Sequence, residues 1–158
     1  MAEQAEGRQH LARAIELATA SAANGGGPFG AVVVAADGSV FEGTNRVTAA
    51  NDPTAHAEVV AIRAAGAALA TFELRGAVLY TSCEPCPMCL GAALWARVER
   101  VVFAADRHDA AVAGFDDAAF YDYFESADRS LMPVAQQPID ARSAPFEAWL
   151  SNAARTDY

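Results

Sequence analysis

The chain has 158 residues, a formal net charge of −9, eleven arginines and no lysine. Its length fits one domain with a real core, and its 53% apolar content excludes a disordered chain. The acidic balance, with no run of arginines, argues against a phosphate-backbone partner. No apolar run reaches the ~20 residues needed to cross a membrane. The first residues, Met1-Ala2-Glu3-Gln4, lack the basic and apolar regions of a secretory signal. Cys83, Cys86 and Cys89 are the only cysteines. An odd, clustered set reads as metal binding in a reducing compartment, which points to the cytoplasm.

Leu11, Ile15, Ala18 and Ala22 recur at helical spacing and predict an amphipathic helix over 9–23. Asn24-Gly25-Gly26-Gly27 stops it. Pro28-Phe29-Gly30 leads into an apolar strand over 31–35, Asp37-Gly38 marks a tight hairpin turn, and the return strand spans 40–42. Asp52 can cap a helix and Pro53 suits its first position, so a helix over 53–69 is expected, with His56 and Glu58 in its first turns. Residues 77–82 read as a buried strand. Glu84-Pro85 turns the chain, and Pro87 opens a helix carrying Cys89, Leu90, Leu94 and Trp95. A further strand covers 100–104, followed by an acidic loop over 105–117. A helix over 120–124, an extended stretch over 134–137 and a last helix over 144–153 complete the pattern. An initial hairpin followed by strand–helix alternation predicts an α/β fold with a mixed sheet and helices on both faces. There is no internal repeat and no domain linker, so residues 1–158 read as one domain. Pro133, Pro138 and Pro145 mark a hinge before its C-terminal segment.

Two short motifs carry the chemistry. His56-Ala57-Glu58 is followed, 85 − 58 = 27 positions after the glutamate, by Pro85-Cys86-Pro87-Met88-Cys89. The pattern H-x-E…P-C-x-x-C supplies one imidazole and two thiolates for Zn²⁺, one ion per chain. Three protein ligands leave the fourth tetrahedral position to water, which marks a catalytic site. Zinc lowers the pKa of a bound water to about 7 and so supplies hydroxide as the nucleophile. Glu58, two residues from a ligand, is placed to shuttle the protons. Cys86 at a helix start gains from the unpaired N–H groups there, which favour the thiolate. The competing non-enzymatic reading is a binding module with a closed structural site of Cys83, Cys86, Cys89 and His56. It gives Glu58 no task, and Cys83 falls at a strand end. Cys83 otherwise reads as a small buried residue beside the site.

Asp52-Pro53-Thr54-Ala55-His56-Ala57-Glu58 and the run from Tyr80 to Ala92 resemble the cytidine deaminase superfamily. Within it they are most similar to the small bacterial guanine deaminases. Gly27-Pro28-Phe29-Gly30-Ala31, Ala113-Gly114-Phe115-Asp116-Asp117 and Pro145-Phe146-Glu147-Ala148-Trp149 extend the resemblance along nearly the whole chain. The resemblance implies a three-layer α/β/α sandwich and hydrolysis of guanine to xanthine and ammonia. It implies that His56, Cys86 and Cys89 bind zinc and that Glu58 moves protons. It further implies that Asn45 hydrogen-bonds the base, Phe29 and Trp95 line its faces, and Asp117 anchors its edge and assists the leaving amine. It implies a homodimer in which residues 143–158 are exchanged and cover the site, with Tyr158 as the terminal aromatic of that lid. Residues 150–155 match the family tail only loosely, and Asp106-Arg107-His108 is a variable stretch.

The residues also admit structural roles. Phe29 can be a core residue where a strand starts, Trp95 pure core, Asn45 a turn residue, and Asp116 and Asp117 helix caps. Trp149 and Phe146 are expected to pack the last helix, and His10 and His108 to face solvent. A tRNA adenosine deaminase shares the motifs, and the acidic charge disfavours it. A guanosine or cytosine-type deaminase is the other alternative, and a closed lid would deny a ribose its space.

Overall fold

The computed structural model describes residues 2–158. Helix α1 (Ala2–Ala23) is followed by a hairpin of β1 (Gly30–Val34) and β2 (Val40–Thr44). Then come α2 (Val47–Ala50), α3 (Ala57–Leu69), β3 (Val78–Cys83), α4 (Pro87–Trp95), β4 (Arg100–Ala105), α5 (Arg107–Val112) and α6 (Asp117–Glu125). A 3₁₀ turn (Asp140–Ser143) and α7 (Ala144–Ser151) end the chain's regular structure. The strands form one sheet in the order β2-β1-β3-β4. β1 runs antiparallel to both β2 and β3, and β3 runs parallel to β4. The expected mixed sheet is therefore present.

Alternation along the strands builds three layers. Ala31, Val33 and Leu79 face one side with Ala57, Ala61 and Ala65 of α3 and Ala93 of α4. Val32 and Tyr80 face the other with Ala14, Leu11 and Leu17 of α1. Two glycines permit the close packing. A Cβ at Gly30 would collide with the Ala14 carbonyl and the Ala18 amide of α1. A Cβ at Gly43 would collide with the Ala57 carbonyl and the Ala61 amide of α3. The helices thus lie backbone-to-strand, and α3 holds His56 and Glu58 at its start.

Several local expectations need correction. Helix α1 begins at Ala2, not residue 9, because alanine, glutamate and glutamine favour helix without an apolar stripe. Residues 53–55 are not helical. Asp52 turns its carboxylate onto the Thr54 amide and hydroxyl at 2.8 and 2.7 Å, so helix α3 starts with His56 as its N-cap. The short helix α2 was not foreseen. Residues 107–112, expected as loop, are helical. The Asp106 carboxylate accepts from the His108 and Asp109 amides, while Asp109 accepts from the Asp106 amide, a reciprocal capping box. His10 is half-buried, its ring 5.3 Å from that of Tyr80, whereas His108 is exposed.

The chain divides into two compact units, the second spanning Tyr123–Tyr158. In that unit the Tyr123 hydroxyl donates to the Met132 carbonyl at 2.9 Å, and the Arg129 guanidinium lies 4.8 Å from the Tyr123 ring. No strand forms over 134–137, and α7 ends at Ser151. Among the described residues no helix is long and apolar enough to cross a membrane.

Candidate active site

Two helix starts converge on one cluster. His56 is the N-cap of α3 and Cys86 the N-cap of α4, both with extended backbone and neither using its side chain to cap. Pro87 takes the first helical position of α4. The His56 Nδ1 lies 3.6 Å from the Cys86 sulfur and 3.6 Å from the Cys89 sulfur. A tetrahedral zinc with Zn–S of about 2.3 Å and Zn–N of about 2.05 Å requires S···N edges of about 3.5 Å. The three donors match that geometry, and their ligand atoms all lie within 4.8 Å of one another. The donor set, one nitrogen and two sulfurs, is chemistry that zinc favours.

The electrostatics favour a cation as well. The Cys86 thiol is drawn down to about 4 because Cys89 hydrogen-bonds its thiolate and His56 adds a second bond. Cys89 is held up because it donates to Cys86 and is buried, so the pair shares a proton. His56 is raised mainly by its bond to Cys86. Cys83 stands apart from the set. Its thiol donates to the Asp106 carbonyl at 3.6 Å, and burial pushes it up to about 11. The cluster of three excludes the closed four-ligand arrangement weighed from the sequence.

A cavity of about 250 Å³ opens on this cluster, lined among others by Phe29, Asn45, His56, Glu58, Cys86 and Asp117. It is smaller than the about 300–1,000 Å³ typical of drug-sized ligands, which suits a base without its sugar. Glu58 is only 5% exposed, and burial raises its carboxyl. Asp117, the first residue of α6, is raised chiefly by burial and then by the charge on Cys86. Asn45 does hold a turn: its Oδ1 accepts from the Val47 amide at 3.2 Å, which leaves its NH₂ as the donor. A Cβ at Gly27 would press on the Asn45 side chain, its Cγ 2.9 Å away, so a glycine there gives the amide its place.

The structure adds residues that the motifs did not single out. Phe115 meets Phe29 edge-on, with ring centroids 4.7 Å apart, and lines the cavity with it. Glu84 lines the cavity too, and Arg107 holds it below the usual carboxylate range. The Gly-Phe-Asp-Asp run contained Phe115, but its apolar ring carried no signal apart from that of a core residue. Trp95 does not line this cavity. It sits six residues after Cys89, about 240° around the helix at 100° per residue, and is 64% exposed. Tyr158 belongs to the second unit, where its ring meets Trp149 edge-on at 6.1 Å.

A second, larger cavity of about 510 Å³ lies beyond the Phe29–Phe115 pair and is lined mainly by apolar groups such as Ile15, Ala18 and Ala110. Its one carboxylate, Asp109, is engaged in the capping box. Reaction chemistry therefore belongs to the smaller cavity.

Residues 5–105 match the cytidine and deoxycytidylate deaminase zinc-binding region. The chain belongs to this deaminase family. It is 48% identical over 150 residues to the guanine deaminase of Bacillus subtilis (strain 168), covering 94% of this chain and 96% of that one. A crystal structure of guanine deaminase from Bacillus subtilis superposes with a TM-score of 0.90 at 47% identity, covering 96% of this chain and 98% of that one. The guanine deaminase of Nitrosomonas europaea is similar over 68% of this chain and 63% of its own, with 38% identity and a TM-score of 0.64. Three layers and a mixed sheet are thus the fold of this family of zinc-binding deaminases.

Proposed function

We propose that the chain hydrolyses guanine to xanthine and ammonia. The observation that carries this reading is one small cavity that brings the buried Glu58 and the Asp117 carboxyl to the His56–Cys86–Cys89 cluster. It does so in a chain similar to a guanine deaminase over nearly the full length of both.

His56, Cys86 and Cys89 would hold zinc, which would supply a water-derived nucleophile at neutral pH. Glu58 takes one proton from the attacking water and gives it to the ring nitrogen. It then takes the second from the new hydroxyl on the ring carbon and gives it to the amine, which leaves as ammonia while the carbonyl forms. Its raised carboxyl holds a proton more readily than an exposed glutamate, which suits a group that must return one. The Asn45 NH₂ donates to an acceptor on the base. Phe29 lines the face of the ring. Asp117 accepts from the ring N–H and the amine together, a donor pattern that adenine does not present. The −9 charge and the absence of lysine weigh against an RNA substrate.

In this reading residues 143–158 form the lid of a single deaminase domain, exchanged between the two copies of a homodimer. Support comes from large apolar side chains that stand exposed: Leu94 and Trp95 on α4, and Phe146, Leu150 and Tyr158 in the C-terminal unit. Trp95 and Tyr158 would then complete the base pocket across the dimer. We place the enzyme in cytoplasmic purine catabolism.

The test is ammonia release from guanine, guanosine, adenine and cytosine in parallel, with the zinc-loaded protein. Turnover of guanine alone is expected, and a chelator should abolish it until zinc is returned. Turnover of another ring in place of guanine would overturn the substrate. Light scattering at several concentrations tests the dimer, and a monomer at all of them would remove the exchange.

A further inference from the structure

We propose that Tyr121 and Arg107 are positioning residues that tie helix α6 to the cysteine loop and so hold Asp117 at the reaction centre. The proposal rests on the reading of Asp117 given above. The Tyr121 hydroxyl donates to the Pro85 carbonyl at 2.6 Å, and Pro85 immediately precedes Cys86. The Arg107 guanidinium lies 3.4 Å from the centre of the Tyr121 ring. The same guanidinium grips Glu84, with Nη2 to Oε1 at 2.7 Å and Nε to Oε2 at 3.1 Å. The Arg107 amide adds a bond to Glu84 at 3.0 Å, and the Glu84 amide donates to the Ala105 carbonyl at 2.8 Å. Two consecutive residues of the ligand loop, Glu84 and Pro85, are thus held by one cation–aromatic pair.

Asp117 and Tyr121 are four residues apart on α6, so they share a face of the helix, one turn apart. The three residues before Asp117 are irregular, with Gly114 at φ +92°, and are pinned by the Phe115 amide on the Ala110 carbonyl at 3.1 Å and by the Phe115 ring on Phe29. Those contacts seat the start of α6 on α5 and Phe29, and its tie to the cysteine loop itself comes one turn further on, at Tyr121. A bidentate arginine pair stacked on a ring has few alternative geometries. Small displacements of a group that grips substrate cost rate steeply, up to about 10²-fold for 1 Å.

The experiment is a double-mutant cycle between Tyr121→Phe and Asp117→Asn, with Arg107→Lys as a second clamp variant. Tyr121→Phe keeps the ring under Arg107 and removes only the hydroxyl. Turnover of guanine, zinc content, thermal midpoint and the Kd of 8-azaguanine are measured for each protein. Tyr121→Phe alone should lower kcat/KM by roughly tenfold and weaken 8-azaguanine, with one zinc per chain retained. In the Asp117→Asn background the same change should cost less than about twofold in both quantities, because the group to be positioned has lost its charge. Arg107→Lys should behave likewise. Equal losses in the two backgrounds would overturn the clamp while leaving Asp117 its role. Unimpaired Asp117→Asn would overturn the reading of Asp117 and the clamp with it. Zinc loss in both clamp variants would also overturn the proposal, since the contacts would then serve the ligand loop alone.

Discussion

In β1 and β3, nine of eleven residues are buried, whereas every residue from Phe124 to Ala154 is exposed. The first region owes its geometry to the sheet and to two helices pressed onto glycines. The second is held by contacts among its own neighbours, such as the Tyr123–Met132 bond and the Ser143 hydroxyl on Glu147. Groups whose spacing must be fixed lie in the first region: His56, Glu58, Cys86 and Cys89 all stand at the starts of helices seated on the core. The second region offers uncovered aromatic side chains instead, and those acquire a function only when something covers them.

The contrast can be broken at four points, in falling order of effect. Glu58→Gln should lower turnover of guanine on the order of 10³-fold, with zinc content and thermal midpoint unchanged. Retained activity would remove Glu58 from the mechanism. Gly43→Ala pushes a methyl into the Ala57 carbonyl and should cost about 1–3 kcal/mol of stability, read by urea denaturation. An unchanged midpoint would mean that α3 can lift off the sheet freely. Deleting residues 155–158 should reduce turnover on the order of tenfold without moving the thermal midpoint or the zinc content. Equal rates with and without the tail would end the lid proposal.

The smallest effect concerns an exposed contact of the framework. Arg13 of α1 grips Glu42 of β2 at 2.7 and 3.0 Å and holds its carboxyl below the usual range. A lowered carboxyl stabilises the fold above its unfolded pKa, and that contribution is lost as the pH falls through the folded value. Arg13→Gln should therefore lower the thermal midpoint by about 1–3 °C at pH 7, and the gap to the unaltered protein should close below about pH 4.5. A gap that persists at low pH would assign the effect to packing.

Legibility of the sequence divided along similar lines. The grouping of His56, Cys86 and Cys89 beside Glu58 was readable because metal chemistry demands particular donors at particular spacings, and the strands because buried runs of valine and leucine are conspicuous. Helix α5 was hidden, since its start is signalled by an aspartate pair, Asp106 and Asp109, in a stretch that otherwise reads as acidic loop. The start of α3 was misplaced because Asp52 can cap a helix or close a turn, and its bond to Thr54 decided for the turn. Trp95 was assigned from likeness. Counting around the helix from Cys89 would have set it on the outer side of α4 in its own chain. Phe115 and the Arg107–Tyr121 pair depend on long-range packing, which leaves no periodic trace.

The seam between β2 and α3 has a further meaning for the precision of the site. Where two elements meet through long side chains, each rotamer hop shifts their spacing by a fraction of an ångström. A glycine laid against a helix backbone has no rotamers to hop. The spacing of β2 and α3 at Gly43 is therefore as stiff as the peptide units themselves, and His56 and Glu58 inherit that stiffness within half a turn. In engineering terms the site has a tight tolerance at its base, achieved by leaving out moving parts.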